Sequence, residues 1–480
     1  MEDNRSAITR ALGRTDVISI GFGTIVGWSW IILGVSWVNN AGMLGAIIAF
    51  LVGGLVSLSV GFLISELTSA LPLTGGGFIF SYRAFGSKFA FATGWFFMLA
   101  YFGVAAWEGI ALASAIDYVF AIPKYVPLWE IAGYEVHLSW ALVGSLGAFI
   151  TMAHNLFGRR LSMLFQVMAS AAVFVVVLIL FFGGISFGSL ENIGPMVTDV
   201  KGFFFVLMLV PAMLIGFDVI PQSAEEMNIE PKDIGHMIVV SVVLSIAWYC
   251  VLIIGVAIGA PVEIRESGIL PVADVANHVF ESKTFGVIVV LGGILGIMTT
   301  WNGFFMGVTR LIMSMANAGM LPRIFAVKSK RNETPFAATI LVGIVCMAVP
   351  FLGRNALYWL VDTSSLCAMI AYLMISVTYI KLKNNEPDLQ RPYTVSKGKA
   401  LAIVTFVLIL IYILLFVINS YISLGKYGGL IVVISWAIIG CVMYISTRTI
   451  RSQLGESAIE YRIFGKKYSR VKGTGGKEVI

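Results

Sequence analysis

Apolar residues run along this chain in long blocks, separated by charged or Pro/Gly-rich breaks. About 20 apolar residues cross a hydrocarbon core of about 30 Å as a helix. Read this way, the blocks predict twelve spans, near 17–38, 43–65, 89–119, 138–156, 161–184, 202–223, 235–260, 284–315, 335–352, 357–380, 401–421 and 428–447. A closed barrel, the other fold that satisfies its backbone in lipid, would need alternation with period two, and no block shows it. The pattern therefore predicts an all-α membrane protein.

Composition agrees. Only 12 % of the 480 residues are Asp, Glu, Lys or Arg and 58 % are hydrophobic, against about 25 % charged in a soluble domain. A soluble enzyme, a disordered chain and a secreted disulfide scaffold are excluded. The four cysteines lie in apolar runs without metal-ligand spacing, and no cofactor is indicated. The net charge of +6 changes the picture only through its placement. Of 32 Lys and Arg, six (Lys124, Lys201, Arg265, Lys283, Arg354 and Lys426) fall on one side of the predicted spans and the rest on the side of both termini. The positive-inside rule then predicts cytoplasmic termini, and nucleic acid is not an expected partner. The polar first 16 residues, with Arg5, Arg10 and Arg14, show no cleavable signal pattern. The first span is expected to insert uncleaved into a plasma membrane, in a prokaryote.

Two spans are poor continuous helices. The first holds Gly21, Gly23 and Gly27, and the sixth holds Pro211, Gly216 and Pro221. Gly23 and Gly27 also fit close helix packing, but interruptions at matching places in the first and sixth spans favour broken helices. They predict two five-span repeats, 17–184 and an inverted 202–380, followed by spans 11 and 12 at 401–447 and flanked by tails 1–16 and 448–480. Freed N–H groups at a half-helix suit a carboxylate, and freed carbonyls suit a cation or ammonium.

Several segments carry a family likeness: Gly23-Thr24-Ile25-Val26-Gly27-Trp28-Ser29; Glu66 through Phe78; Ile215-Gly216-Phe217-Asp218 with Ala224-Glu225-Glu226 and Glu230 to Ile234; Arg310 with Asn317 to Pro322; and Pro387 to Tyr393. In this order they resemble the amino acid–polyamine–organocation superfamily of transporters, with its leucine-transporter-like fold. The resemblance implies secondary transport of an L-amino acid or related amine by alternating access, as ion-coupled symport or exchange. It implies a carboxylate cradle at Gly27, Trp28 and Ser29, and amine contacts at Ile25, Met213, Leu214 and Ile215, with Phe217 as an aromatic gate. Departures are Ser29 and the bulky Trp28, where the family signature ends Gly-Ser-Gly. Many proton-coupled relatives carry a lysine in span 5, near the place of the sodium ion in sodium-coupled ones. None occurs here between Arg160 and Lys201; the corresponding stretch is Gln166 to Phe174. Thr299 and Thr300 could offer hydroxyls to sodium, or bond to their own helix backbone.

Charged residues deep in a span default to functional candidates. Glu108 in span 3 is expected to attract a cationic amine or relay a proton, or else to bond to a neighbouring helix. Asp218 is expected to gate or sense protons, or to cap the second half of span 6. Trp37 is expected to anchor at the interface, Asn302 to bond across the bundle, and Glu66, Arg83 and Glu225-Glu226 to form inner-side ion pairs. A cationic amine or polyamine is the alternative substrate. The lipid bilayer, the solute and a coupling proton or sodium ion are the expected partners; no oligomeric state follows from the sequence.

Overall fold

The computed structural model describes residues 11–131, 133–157, 159–266, 270–329, 334–422 and 428–469. The ends of both predicted tails, 1–10 and 470–480, lie outside the described residues. The elements are α1 (Arg14–Ile25), α2 (Ser29–Ala41), α3 (Met43–Ala70), α4 (Gly77–Phe85), α5 (Ser87–Phe120), β1 (Pro127–Ile131), β2 (Tyr134–His137), α6 (Leu138–Phe157), α7 (Arg159–Phe187), α8 (Val200–Met213), α9 (Pro231–Gly259), α10 (Val262–Glu266), α11 (Pro271–Val279), α12 (Lys283–Asn317), α13 (Phe336–Ala348), α14 (Ala356–Asn385), α15 (Gly398–Ile422), α16 (Gly428–Ser446), α17 (Arg448–Leu454) and α18 (Glu456–Tyr468).

Among the described residues nine helices are long and apolar enough to cross a membrane, and the bent pair α1–α2 raises this to ten. The fourth and ninth predicted spans are weaker. α6 is diluted by Ser139, His154 and Asn155, and α13 is a short helix extended by a 3-10 turn to Leu352. The structure is thus an all-α multi-span membrane protein with one addition the sequence reading lacked. β1 and β2 form an antiparallel hairpin between α5 and α6. Its strands of five and four residues are too short to register against the long apolar blocks.

α5 runs through the middle and packs on α12 and α14. α3 packs on α9 and α8, and α7 on α9 and α12. α15 and α16 lie outside, α15 on α14 and α3, and α16 on α14 and α5. They expose Leu414, Ile418, Ile438 and Val442, apolar surface suited to lipid. Trp37 departs from expectation. It is fully buried and packs against Phe50 and Tyr249, with ring centroids 4.7 and 5.5 Å away. An apolar helix end does not by itself distinguish a lipid-facing indole from one facing the bundle.

On the side of the termini the bundle is tied shut. Leu12 pairs with Met227 beyond the sixth span, and Arg310 meets Glu226 through two bonds of 2.6 and 2.9 Å. Glu66 is buried, contacts Lys383 at 2.5 Å and Arg391 at 3.3 Å, and accepts from the Tyr379 hydroxyl at 2.7 Å. Arg83 grips Glu386 and donates to the Tyr468 carbonyl of α18. Glu225 accepts the Thr74 N–H at 3.2 Å. On the opposite side the Tyr118 hydroxyl donates to Asp274 of α11 at 2.9 Å.

Candidate functional site

The first span breaks where its glycines concentrate. α1 stops at Ile25, and Val26, Gly27 and Trp28 leave the helix. α2 resumes at Ser29 with a bend of 61°. The sixth span breaks after α8 ends at Met213. Leu214 and Ile215 turn, Gly216 takes φ 137°, and the chain continues as a 3-10 segment from Phe217 to Glu226 containing Pro221. That φ excludes ordinary side chains without strain.

The two breaks touch. A Cβ on Gly216 would lie 2.9 Å from the Ile25 nitrogen and from the Thr24 carbonyl carbon. Opposite them, α12 presents Gly293, Gly296, Thr300, Gly303 and Gly307, spaced alternately three and four residues apart, which puts them on one helix face. Any Cβ at Gly293 would meet the Trp28 ring, at Gly296 the Gly27 carbonyl oxygen 2.7 Å away, at Gly303 Thr24, and at Gly307 Val219. This stripe lets α12 approach the unwound backbone of span 1 and the start of the 3-10 segment. The sequence reading missed it, although the glycine spacing within the eighth span was a visible signal.

Ile25, Gly27, Trp28 and Ser29 thus line one break, and Met213, Leu214, Ile215 and Phe217 the other. The Met213 carbonyl lies 3.4 Å from the Tyr249 hydroxyl that donates to it. Phe217 is buried and stacks on Tyr372 of α14, centroids 5.6 Å apart. Thr300 donates to the Gly23 carbonyl across the helices at 3.1 Å, whereas Thr299 bonds back to Gly296 on its own helix at 3.0 Å.

The two intramembrane acids sit in different surroundings. Asp218 is held at both oxygens. Oδ1 accepts the Gly216 N–H at 3.1 Å and Oδ2 accepts the Tyr101 hydroxyl at 2.8 Å. The carboxylate therefore reaches back from the first turn of the 3-10 segment to the N–H of its N-terminal flanking residue, Gly216, and ties that segment to α5. Glu108 lies two turns along α5 from Tyr101 and is fully buried. Its Oε1 accepts the Trp107 indole N–H at 3.0 Å, while Oε2 is buried with no hydrogen-bond partner. Tyr101, which positions Asp218, was also missed, because the pairing is tertiary. Among the described residues no group of three or more His, Cys, Asp or Glu could hold a metal ion.

Comparison with known proteins accords with this geometry. The family described as "Amino acid permease" matches residues 12–444. The chain is 26 % identical over 421 residues to the "Methylthioribose transporter" of Bacillus subtilis, covering 82 % of this chain and 86 % of that one. It is 24 % identical over 476 residues to the "Branched-chain amino acid permease BcaP" of the same organism, covering 94 % and 95 %. It is 23 % identical over 418 residues to the vacuolar "Cationic amino acid transporter 2" of Arabidopsis thaliana, covering 83 % of this chain and 64 % of that one. With broken first and sixth spans meeting against a glycine stripe, and a family match over most of its length, this chain belongs to the amino acid permease family of the amino acid–polyamine–organocation superfamily, and it is a secondary transporter of small solutes across a membrane rather than an enzyme.

Proposed function

We propose that the protein carries an L-amino acid across the plasma membrane by alternating access. In this reading α6 and Phe336–Leu352 complete twelve spans, and spans 1–10 form two inverted five-helix repeats. Packing supports the repeat. An inverted five-helix repeat turns each contact into its counterpart five spans on. The contact of α1 with α9 then mirrors that of α8 with α3, and the contact of α5 with α14 mirrors that of α12 with α7. The side of the termini would be cytoplasmic, in keeping with its share of Lys and Arg, and its ion pairs would open when the solute leaves inward.

The observation that carries the reading is the contact between the two breaks at Gly216 and Thr24–Ile25. Unpaired backbone survives in a membrane where it lines a cavity. The carboxylate of the solute would meet Gly27, Trp28 and Ser29, and its ammonium the turn of Met213, Leu214 and Ile215, with Phe217 above it. Thr299 and Thr300 would serve α12 as hydroxyl donors to backbone. Two of the relatives, a branched-chain amino acid permease and a cationic amino acid transporter, have names that fit an amino acid solute, whereas the methylthioribose transporter does not.

A second reading, a cationic amine or polyamine, is favoured by one observation: the buried Glu108 Oε2 has no partner and would accept an N–H of a cationic nitrogen. Thermal stabilisation of the purified protein by leucine, lysine, arginine, putrescine and spermidine separates the two. Stabilisation by amino acids alone supports the first reading, and stabilisation by the amines the second. No stabilisation by any of them contradicts both.

A further inference from the structure

Below the break, apart from the Arg14–Asp233 ion pair at its start, the inner half of span 1 is held by uncharged groups. Gln166 of α7 is fully buried. Its amide nitrogen donates to the Ser19 carbonyl of α1 at 3.2 Å and to the Thr299 carbonyl of α12 at 3.3 Å. Ser170 donates to the same Ser19 carbonyl at 3.2 Å. The Gln166 oxygen accepts from the Asn302 amide at 2.9 Å, and the Asn302 oxygen accepts from Asn155 at 3.2 Å and Ser162 at 3.1 Å. The donors therefore run in one direction, from Asn155 and Ser162 through Asn302 and Gln166 to the carbonyls of Ser19 in span 1 and Thr299 in α12. Gly23 makes room for the arrangement, since a Cβ there would lie 2.7 Å from the Gln166 nitrogen.

Main-chain carbonyl oxygens are among the hard donors that coordinate small cations, and two of them, from different helices, converge on one point here. Here an amide fills that point. A narrow crevice of about 20 Å³, partly open to solvent on the side of the termini, is lined by Asn155 and Ser162 and so reaches the donor end of this hydrogen-bond chain. Water is thus available to replace these bonds when the bundle opens.

We propose that Gln166 is a positioning residue that takes the place of a coupling ion, its amide locking α1 to α12 in the closed state, so that the solute moves by exchange independent of sodium and protons. The inference rests on the transport reading above. On the elements packed against α7 the acids, bases and histidines are Arg14 and Asp16 on α1, His154 on α6, Lys232, Asp233 and His236 on α9, Asp274 and His278 on α11, and Lys283 and Arg310 on α12, with Glu226 paired to Arg310; α9 also carries Tyr249 and Cys250 within its length. α7 has none from Ser162 to Phe187.

The test uses purified full-length protein in liposomes, with radiolabelled L-leucine or L-lysine as counterflow probe. Wild-type exchange should change less than about twofold when sodium is replaced by choline or the pH gradient is collapsed. Gln166→Ala should be slow, and should gain at least about twofold from sodium, which can enter the vacated carbonyl cluster. Gln166→Glu should work at low pH, where the acid still donates one hydrogen bond. It should fail as pH rises, when a carboxylate faces two carbonyls. Wild-type exchange that needs sodium or a proton gradient overturns the inference, and so does a Gln166→Ala variant that sodium leaves unchanged. If neither solute exchanges, the transport reading is at fault, and the unfolding midpoint decides the present one. It should be unmoved by sodium in the wild type and raised by sodium in Gln166→Ala, and the opposite pattern refutes the lock.

Discussion

Two acids buried within the bundle illustrate how differently one side-chain type can be used. Asp218 has a donor on each oxygen, one from its own broken helix and one from Tyr101 across the core. Glu108, on the same long helix as Tyr101, has a donor on Oε1 only, supplied by its chain neighbour. A buried acid whose hydrogen bonds are complete holds structure. One left incomplete in a water-poor interior is costly, and a solute that supplies the missing donor recovers that cost. The difference places Asp218 in the frame of the broken span and leaves Glu108 with an oxygen that, on the second reading proposed above, a cationic solute would engage.

The most damaging change should be Asp218→Ala. It strands the Gly216 N–H, at about 1–3 kcal/mol, leaves the Tyr101 hydroxyl only the residue 218 backbone carbonyl at 3.0 Å, and should lower the unfolding midpoint of the purified protein. Glu108→Gln should leave that midpoint close to wild type while weakening competition by cationic solutes about tenfold, a loss of about 1.4 kcal/mol; flux inhibition curves measure it. Tyr101→Phe removes a single hydroxyl from Asp218, so thermal unfolding should register about 1 kcal/mol. The mildest is Trp107→Phe, expected below about 1 kcal/mol in the same assay, because Glu108 loses one N–H and the helix keeps its packing. If Asp218→Ala proves harmless to stability while Glu108→Gln unfolds the protein, the two assignments are reversed.

Much of the frame was legible in the sequence. Long apolar blocks mark the spans because a lipid core demands length and little else, and the ends of α3, α5 and α9 fall within about five residues of the predicted limits. The break of span 1 at Val26–Trp28 and of span 6 at Gly216 could be read because glycine and proline act locally. The hairpin was hidden by its brevity. The burial of Trp37, the hold of Tyr101 on Asp218 and the amide chain through Gln166 and Asn302 depend on which faces meet. A helix that is apolar all round does not encode that in its periodicity. For the α12 glycine stripe the signal was present but lay outside the family motifs.

The most direct test of the account is saturable counterflow of radiolabelled L-lysine and L-leucine by wild type and by Glu108→Gln, reconstituted side by side. The account predicts that the wild type exchanges at least one of the two, and that the variant, folded and equally stable, loses most of any lysine exchange while leucine exchange is kept. A wild type that exchanges neither solute, or a Glu108→Gln variant that keeps wild-type lysine exchange, would contradict it.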